Sequence, residues 1–176
     1  TTRRGDTDIM TTPVAVTAIS GEQNETFAPR DLNEIAFSVP SLSMGTVSAF
    51  RSASFAMRGV DETTIILYKE PPVGVVIDDF VVPHVQTQNL EMFDIEQIEV
   101  LRGPQGTLFG KNTTAGVISV KTKRPLMDER SIDLRMEVGD FGTTKAQAAL
   151  NIPVVEDKLA FRFSGMKLDS DGFYEN

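Results

Sequence analysis

Cysteine is absent from this 176-residue sequence, and histidine occurs once, at His84. No disulfide framework, thiolate metal site or cysteine nucleophile is therefore available. A single histidine cannot build a histidine-rich metal centre, and an exposed polar role suits it better. Basic residues are outnumbered, 17 against 25 acidic, for a net charge of -8. No basic stripe with interleaved aromatics is present, so nucleic acid is not an expected partner. No stretch approaches the ~18 consecutive apolar residues of a membrane-crossing helix. Thr1-Thr2-Arg3-Arg4-Gly5-Asp6 is polar from the first residue, unlike a signal peptide. The expectation is a processed or cut piece of a longer protein, ending in the loop-like stretch Asp169 to Asn176.

Hydrophobic residues make up 40% of the chain, enough to build a core. Residues 1–12 read as a flexible lead-in. Pro13 to Ser20 alternates, with Val14, Val16 and Ala18 on one side and Ala15, Thr17 and Ile19 on the other, which predicts a strand. A short helix is expected next, with Pro29 in its first turn and Asp31 and Glu34 near its positive end. Leu32, Ile35 and Ala36 would form its apolar stripe, and Pro40 would close it. Residues 41–56 hold five serines and read as a loop. Short strands are expected over 55–60 and 63–68, around a turn at Gly59-Val60-Asp61. Val73 to Asp78 reads as a buried strand. Leu90 and Phe93 suit one face of a helical turn. In Glu96 to Arg102, Ile98 and Val100 oppose Gln97, Glu99 and Leu101. A glycine-rich turn from Gly103 to Gly116 leads into a strand over Val117 to Lys123, closed by Pro125. This predicts a small mixed α+β domain.

The tail has another texture. Ile132, Leu134, Met136 and Val138 alternate with Asp133, Arg135 and Glu137. Ala146, Ala148, Leu150 and Ile152 alternate with polar neighbours, as do Leu159, Phe161 and Phe163. Three strands with one apolar and one polar face match the wall of an outer-membrane barrel. They equally match an antiparallel sheet laid on a core. Periodicity alone leaves both open.

The run Ile95-Glu96-Gln97-Ile98-Glu99-Val100-Leu101-Arg102-Gly103-Pro104-Gln105-Gly106-Thr107-Leu108-Phe109-Gly110, continuing through Ala115-Gly116-Val117-Ile118 to Thr122-Lys123-Arg124-Pro125, closely resembles the plug signature of TonB-dependent outer-membrane receptors. Pro13 to Ser20, Met57-Arg58-Gly59-Val60 and Val76-Ile77-Asp78-Asp79 resemble earlier plug elements in the same order. Gly139 to Asn176 resembles the opening barrel strands. Asp79 departs from the pattern where glycine is common, and Ala115 where the first glycine of a pair is common. The resemblance implies a plug over 13–125 and the first barrel strands over 126–176. Its fold class is α+β: a small mixed-sheet plug with short helices, then antiparallel strands of a transmembrane β-barrel.

The resemblance further implies that Arg102 and Arg124 latch the plug to barrel glutamates, with Glu99 orienting its neighbours. Gly103, Gly106, Gly110 and Gly116 would supply positive φ or close backbone approach. By position, apical loops over 49–54 and 82–89 would meet ligand. Arg51 and Ser52 lie in the first, and His84, Gln86 and Gln88 in the second. Implied partners are the TonB protein, through an upstream box not found in this chain, the remainder of the barrel, outer-membrane lipid and a small-molecule nutrient. The implied location is the outer membrane of a Gram-negative bacterium. The implied activity is energised uptake of a scarce nutrient such as a ferric siderophore, with no cofactor.

Other constellations fail. Gly110-Lys111 is followed by Asn112, and position 105 is Gln105, so the phosphate-loop spacing is broken. Asp78 and Asp79 suit a turn better than paired catalysis, and no nucleophile, base and acid set emerges, so no enzyme is expected. The rival is a periplasmic binding or interaction module with a plug-like fold, which predicts no lipid-facing band over 126–176.

Overall fold

A computed structural model describes residues 15–27, 29, 31–47, 52–60, 71–84, 87–88, 91–110, 113–140 and 142–171. The chain divides into two compact units, 1–122 and 123–176.

The first unit is built on a five-stranded sheet in the order β1-β6-β7-β4-β5. Its members are β1 (Ala15–Ser20), β4 (Val73–Ile77), β5 (Phe80–Val82), β6 (Ile95–Arg102) and β7 (Gly116–Thr122). All neighbours pair antiparallel except β4 and β7, which run parallel. The register puts Thr17, Val100, Ile118, Val75 and Val82 in one row across the sheet. Opposite partners share a face, so the alternation read in β6 holds: Ile98 and Val100 on one side, Gln97, Glu99 and Leu101 on the other. The Val100 side carries the main core, with Val73, Val75, Ile98, Ile118 and Val120 all essentially inaccessible. Val76, Leu101 and Val117 form a smaller cluster on the other face, joined by half-buried Val16 and Phe109.

The sequence between β1 and β4 differs from expectation in several places. Helix α1 (Gly21–Phe27) follows β1 directly. Ser20 and Gln23 cap it reciprocally: the Gln23 N–H donates to Ser20 Oγ (3.3 Å) and the Ser20 N–H to Gln23 Oε1 (3.1 Å). Helix α2 (Leu32–Ala36) begins only after Asp31, whose Oδ1 accepts from Asn33 N (3.0 Å) and Glu34 N (3.3 Å). Pro29 therefore precedes the helix, and the helix stops at Ala36 before Pro40 can act. Leu32, Ile35 and Ala36 are buried as the stripe required.

The described residues of the stretch 41–56 are mostly strand, not the loop expected. Strands β2 (Leu42–Val47) and β3 (Ser52–Met57) pair antiparallel, Leu42 opposite Met57 and Met44 opposite Phe55. The serines hid a period of two, because the apolar positions are few and share one face. The chain then turns at Arg58-Gly59, both with positive φ, closed by reciprocal main-chain bonds between Met57 and Val60. That two-residue turn displaces the one expected at Gly59-Val60-Asp61. The strand expected over 63–68 lies outside the described residues, as does Leu90. Phe93 lies outside any helix.

In the second unit, β8 (Ser131–Val138), β9 (Thr144–Val155) and β10 (Leu159–Asp169) form the antiparallel meander that the alternation predicted, in the order β10-β9-β8.

Candidate functional site

The connection from β6 to β7 is longer than a tight turn. It spans 103–115 and holds a single helical turn, α3 (Gly106–Phe109). Gly103 N–H donates to Ala115 O (2.9 Å), Gln105 N–H to Thr113 O (3.0 Å) and Ala115 N–H to Pro72 O (2.9 Å), so the loop is laced to itself and to the entry of β4. The four turn glycines divide by cause. Gly103 (φ 107°) and Gly110 (φ 84°) occupy backbone that other residues avoid. Gly116 lies within a strand, where a Cβ would collide with the Met57 side chain and the Leu101 carbonyl. Gly106 has open space around it and no positive φ, so neither expected reason applies there.

Arg102 ends β6, half-buried, and its Nη2 donates to Thr17 Oγ1 on β1 (3.1 Å). Its Nε is buried with no hydrogen-bond partner. Glu99 is fully buried at the middle of β6 and accepts from Gln97 Nε2 (2.9 Å). Register puts Arg102 and Glu99 on opposite faces of the sheet, so the structure does not assemble them into one pair. Arg124 is exposed just beyond β7.

Asp78 and Asp79 form a two-residue turn between β4 and β5, both at positive φ. Asp78 also clasps the last residue of β7: Oδ1 accepts from Thr122 N (2.9 Å) and Oδ2 from Thr122 Oγ1 (2.7 Å). The apical-loop candidates fare unevenly. Arg51 and Gln86 lie outside the described residues. Ser52 opens strand β3 rather than sitting in a loop. His84 is exposed, and its carbonyl accepts from Thr87 N (3.0 Å) and Thr87 Oγ1 (2.8 Å). Gln88 is fully buried, with Nε2 donating to Val82 O (3.3 Å), which corrects its reading as a displayed ligand contact.

The second unit inverts ordinary burial. On β9, Lys145, Gln147, Ala149 and Asn151 are buried, three of them polar. The opposite face carries Ile132, Leu134, Met136 and Val138 on β8, Leu150 on β9, and Phe161 and Phe163 on β10. All of these are exposed, from 36% at Leu150 to 83% at Val138. Polar residues inside and an apolar band outside is what lipid on the outside demands. Fully buried Asn151 fixes the segment leading into β8: its Oδ1 accepts from Leu126 N (2.9 Å), and its Nδ2 donates to Leu126 O (3.0 Å) and Glu129 O. Arg162 on β10 reaches across β9 to Asp133 on β8 (3.2 Å). Neither clasp was legible in the sequence, because Asp78 and Asn151 look like ordinary turn and strand polar residues. Alternation did place Asn151 on the polar face.

Among the described residues no helix is long and apolar enough to cross a membrane, which says nothing about strands. No group of titratable side chains among them could hold a metal ion.

Known proteins resemble the chain along the same lines. The profile of the family described as TonB-dependent Receptor Plug Domain matches residues 8–117. The pesticin receptor of Yersinia pestis is 31% identical over 88 residues, covering 49% of this chain and 12% of that receptor. The ferrioxamine receptor of Yersinia enterocolitica is 28% identical over 82 residues, 47% of this chain and 11% of the receptor. The chain thus spans about an eighth of the relatives it matches. The ferric yersiniabactin uptake receptor FyuA of Yersinia pestis superposes with a TM-score of 0.73 over 87% of this chain and 24% of its own, at 23% identity. That likeness is one of fold. It reaches past the first unit, since 87% of the chain is more than its first 122 residues.

Proposed function

The chain belongs to the TonB-dependent receptor plug family, and from that premise we propose that it gates energised uptake of a scarce nutrient, a ferric siderophore being the leading class, across a Gram-negative outer membrane. The observation that carries this reading is the inverted sheet of the second unit. Its exposed row of Ile132, Leu134, Met136 and Val138 is the lipid face of a barrel wall, and its buried Gln147 and Asn151 line the interior. A periplasmic module would have no such band, so the rival reading loses its support.

No chemistry is done on the nutrient. Ligand binds at the outer side, and TonB draws on a segment upstream of β1. The plug then rearranges within its barrel, shifting between packed states biased by ligand and by force. Arg102 and Arg124 latch the plug to barrel carboxylates. The exposure of Arg124 just beyond β7 supports this, since its guanidinium is open to a carboxylate from outside. Of the loop candidates for ligand contact, His84 is the one whose side chain is described and exposed. The names of the relatives, which include receptors for ferrioxamine and ferric yersiniabactin, support the siderophore class.

Uptake tests the reading. A strain deleted for the receptor and complemented with it should accumulate radiolabelled ferric siderophore only when TonB is present and the membrane is energised. Equal accumulation without TonB would refute it.

A further inference from the structure

The outward face of the second unit's sheet changes character along β10 but not along β8. Phe161, Phe163 and Gly165 lie outward, and beyond them come Lys167 and Asp169, an exposed ion pair at 3.2 Å. Register puts Lys167 in a row with Ala146 and Met136, and Asp169 in a row with Thr144 and Val138. On β8 those rows are still apolar. A charged pair is expensive in hydrocarbon, so β10 leaves it just past Gly165 while β8 remains inside. Tilted barrel strands reach a membrane edge at different rows, as this requires. The β9–β10 connection, 156–158, is shorter than the β8–β9 connection, 139–143. Short turns face the periplasm and longer loops the outside, so residues 166–169 stand at the outer mouth.

The inward face of β10 reverses at the same place. Met166 and Leu168 lie on it, 41% and 39% exposed. Their rows on β9 and β8 hold Gln147 with Arg135, and Lys145 with Glu137. Polar residues suffice for a wetted wall, so two open apolar side chains on one strand need another cause. Gln147, opposite Met166, gives a second and independent sign. It is 4% exposed, and its Oε1 is buried without a hydrogen-bond partner among the described residues. Such an acceptor is costly until a donor meets it. Apolar lining beside a few placed polar groups is the make-up of a ligand site.

We propose that Met166, Leu168 and Gln147 form a subsite for the nutrient in the barrel wall at the outer mouth. An apolar portion of the ligand rests on Met166 and Leu168, and an N–H or O–H beside it donates to Gln147 Oε1. Met166 is unbranched, so it gives way readily to admit that donor. The ligand is then a chelate that presents apolar surface next to a donor; a fully hydrated, highly charged nutrient gains nothing here. The subsite rests on the uptake reading above.

The test uses the full receptor in outer membranes, with radioiron-loaded tris-catecholate and tris-hydroxamate chelates as probes. Met166→Gln with Leu168→Gln makes the strip as polar as its neighbours. Membrane level should hold, and affinity for whichever chelate is bound should fall by about tenfold. Gln147→Leu should weaken binding too, and Lys167→Gln, on the outward face, should not. Unchanged affinity in the double variant overturns the subsite and leaves the uptake reading standing. Uptake of neither chelate by TonB-proficient cells brings down the siderophore reading and the subsite together. A second arm guards against a misassembled variant. Met166→Cys and Leu168→Cys, each in a receptor with no other cysteine, should react on intact cells with a membrane-impermeant maleimide, and Phe163→Cys should not. Bound chelate should slow both reactions. Unreactive cysteines at 166 and 168, covered by another part of the receptor, overturn the placement, and reaction rates indifferent to bound chelate overturn the assignment to ligand.

Discussion

Asn151 holds Leu126 by both of its main-chain groups, accepting from the N–H at 2.9 Å and donating to the carbonyl at 3.0 Å. A strand partner would make the same two bonds, so one buried amide stands in for a ladder step and anchors the segment that leads into β8. Truncation would leave the Leu126 N–H, the Leu126 carbonyl and the Glu129 carbonyl without it. Asn151→Ala should cost about 1–3 kcal/mol per stranded group at most, and speed hydrogen exchange at the Leu126 amide. Asn151→Asp should be worse than alanine at neutral pH, because a carboxylate faces two carbonyls. Exchange rates at Leu126 and thermal unfolding check the order.

Gly116 sits under Met57, and any Cβ there meets the Met57 sulfur and the Leu101 carbonyl. Gly116→Ala should destabilise the first unit by about 1–3 kcal/mol in denaturant titration. Adding Met57→Ala should recover only part of that, since the carbonyl of the neighbouring strand remains.

Asp78 and Asp79 should respond to glycine with opposite signs. Asp79 has φ 70°, and Asp79→Gly relieves strained backbone, for a gain of about 0.5–1 kcal/mol. Asp78→Gly relieves similar strain but abolishes both bonds to Thr122, so it should lose stability. Equilibrium unfolding of the two variants side by side reads the signs.

The sequence carried the sheet and the tail well and the N-terminal half of the plug poorly. β6, β8 and the first half of β10 announce themselves because large apolar residues alternate in them, and β9 because Lys145, Gln147 and Asn151 alternate with apolar residues. β2 and β3 do not, because serine and glycine fill the non-core positions and mask the pairing of Leu42 with Met57 and Met44 with Phe55. Helix α1 was readable from Ser20 and Gln23, whose spacing is a capping box, but it has no apolar stripe, burying only Asn24. Gly21 lies against the main chain of Ile95 and Glu96, a demand set by packing far along the chain. At the site, register separated Arg102 from Glu99, and burial withdrew Gln88 from the loop surface. Neither is a local property, so neither could be read from motif spacing.

Charge should be tolerated unequally on the two faces of β8. Leu134→Arg places a cation on the exposed apolar row, at a cost of about 2–4 kcal/mol if it lies near the bilayer midplane. Its level in isolated outer membranes should drop sharply. Asp133→Asn, on the polar face, should loosen the contact with Arg162 yet leave the membrane level nearly unchanged.

A cysteine scan along β8, in a receptor carrying no other cysteine, probes the lipid face most directly. Single cysteines at 132 through 138, labelled with an environment-sensitive fluorophore in native outer membranes, should alternate. Positions 132, 134, 136 and 138 should report hydrocarbon, and 133, 135 and 137 a shielded polar interior. A flat profile, or one with the polar positions in lipid, would contradict the assignment of this chain to a plug joined to a membrane barrel.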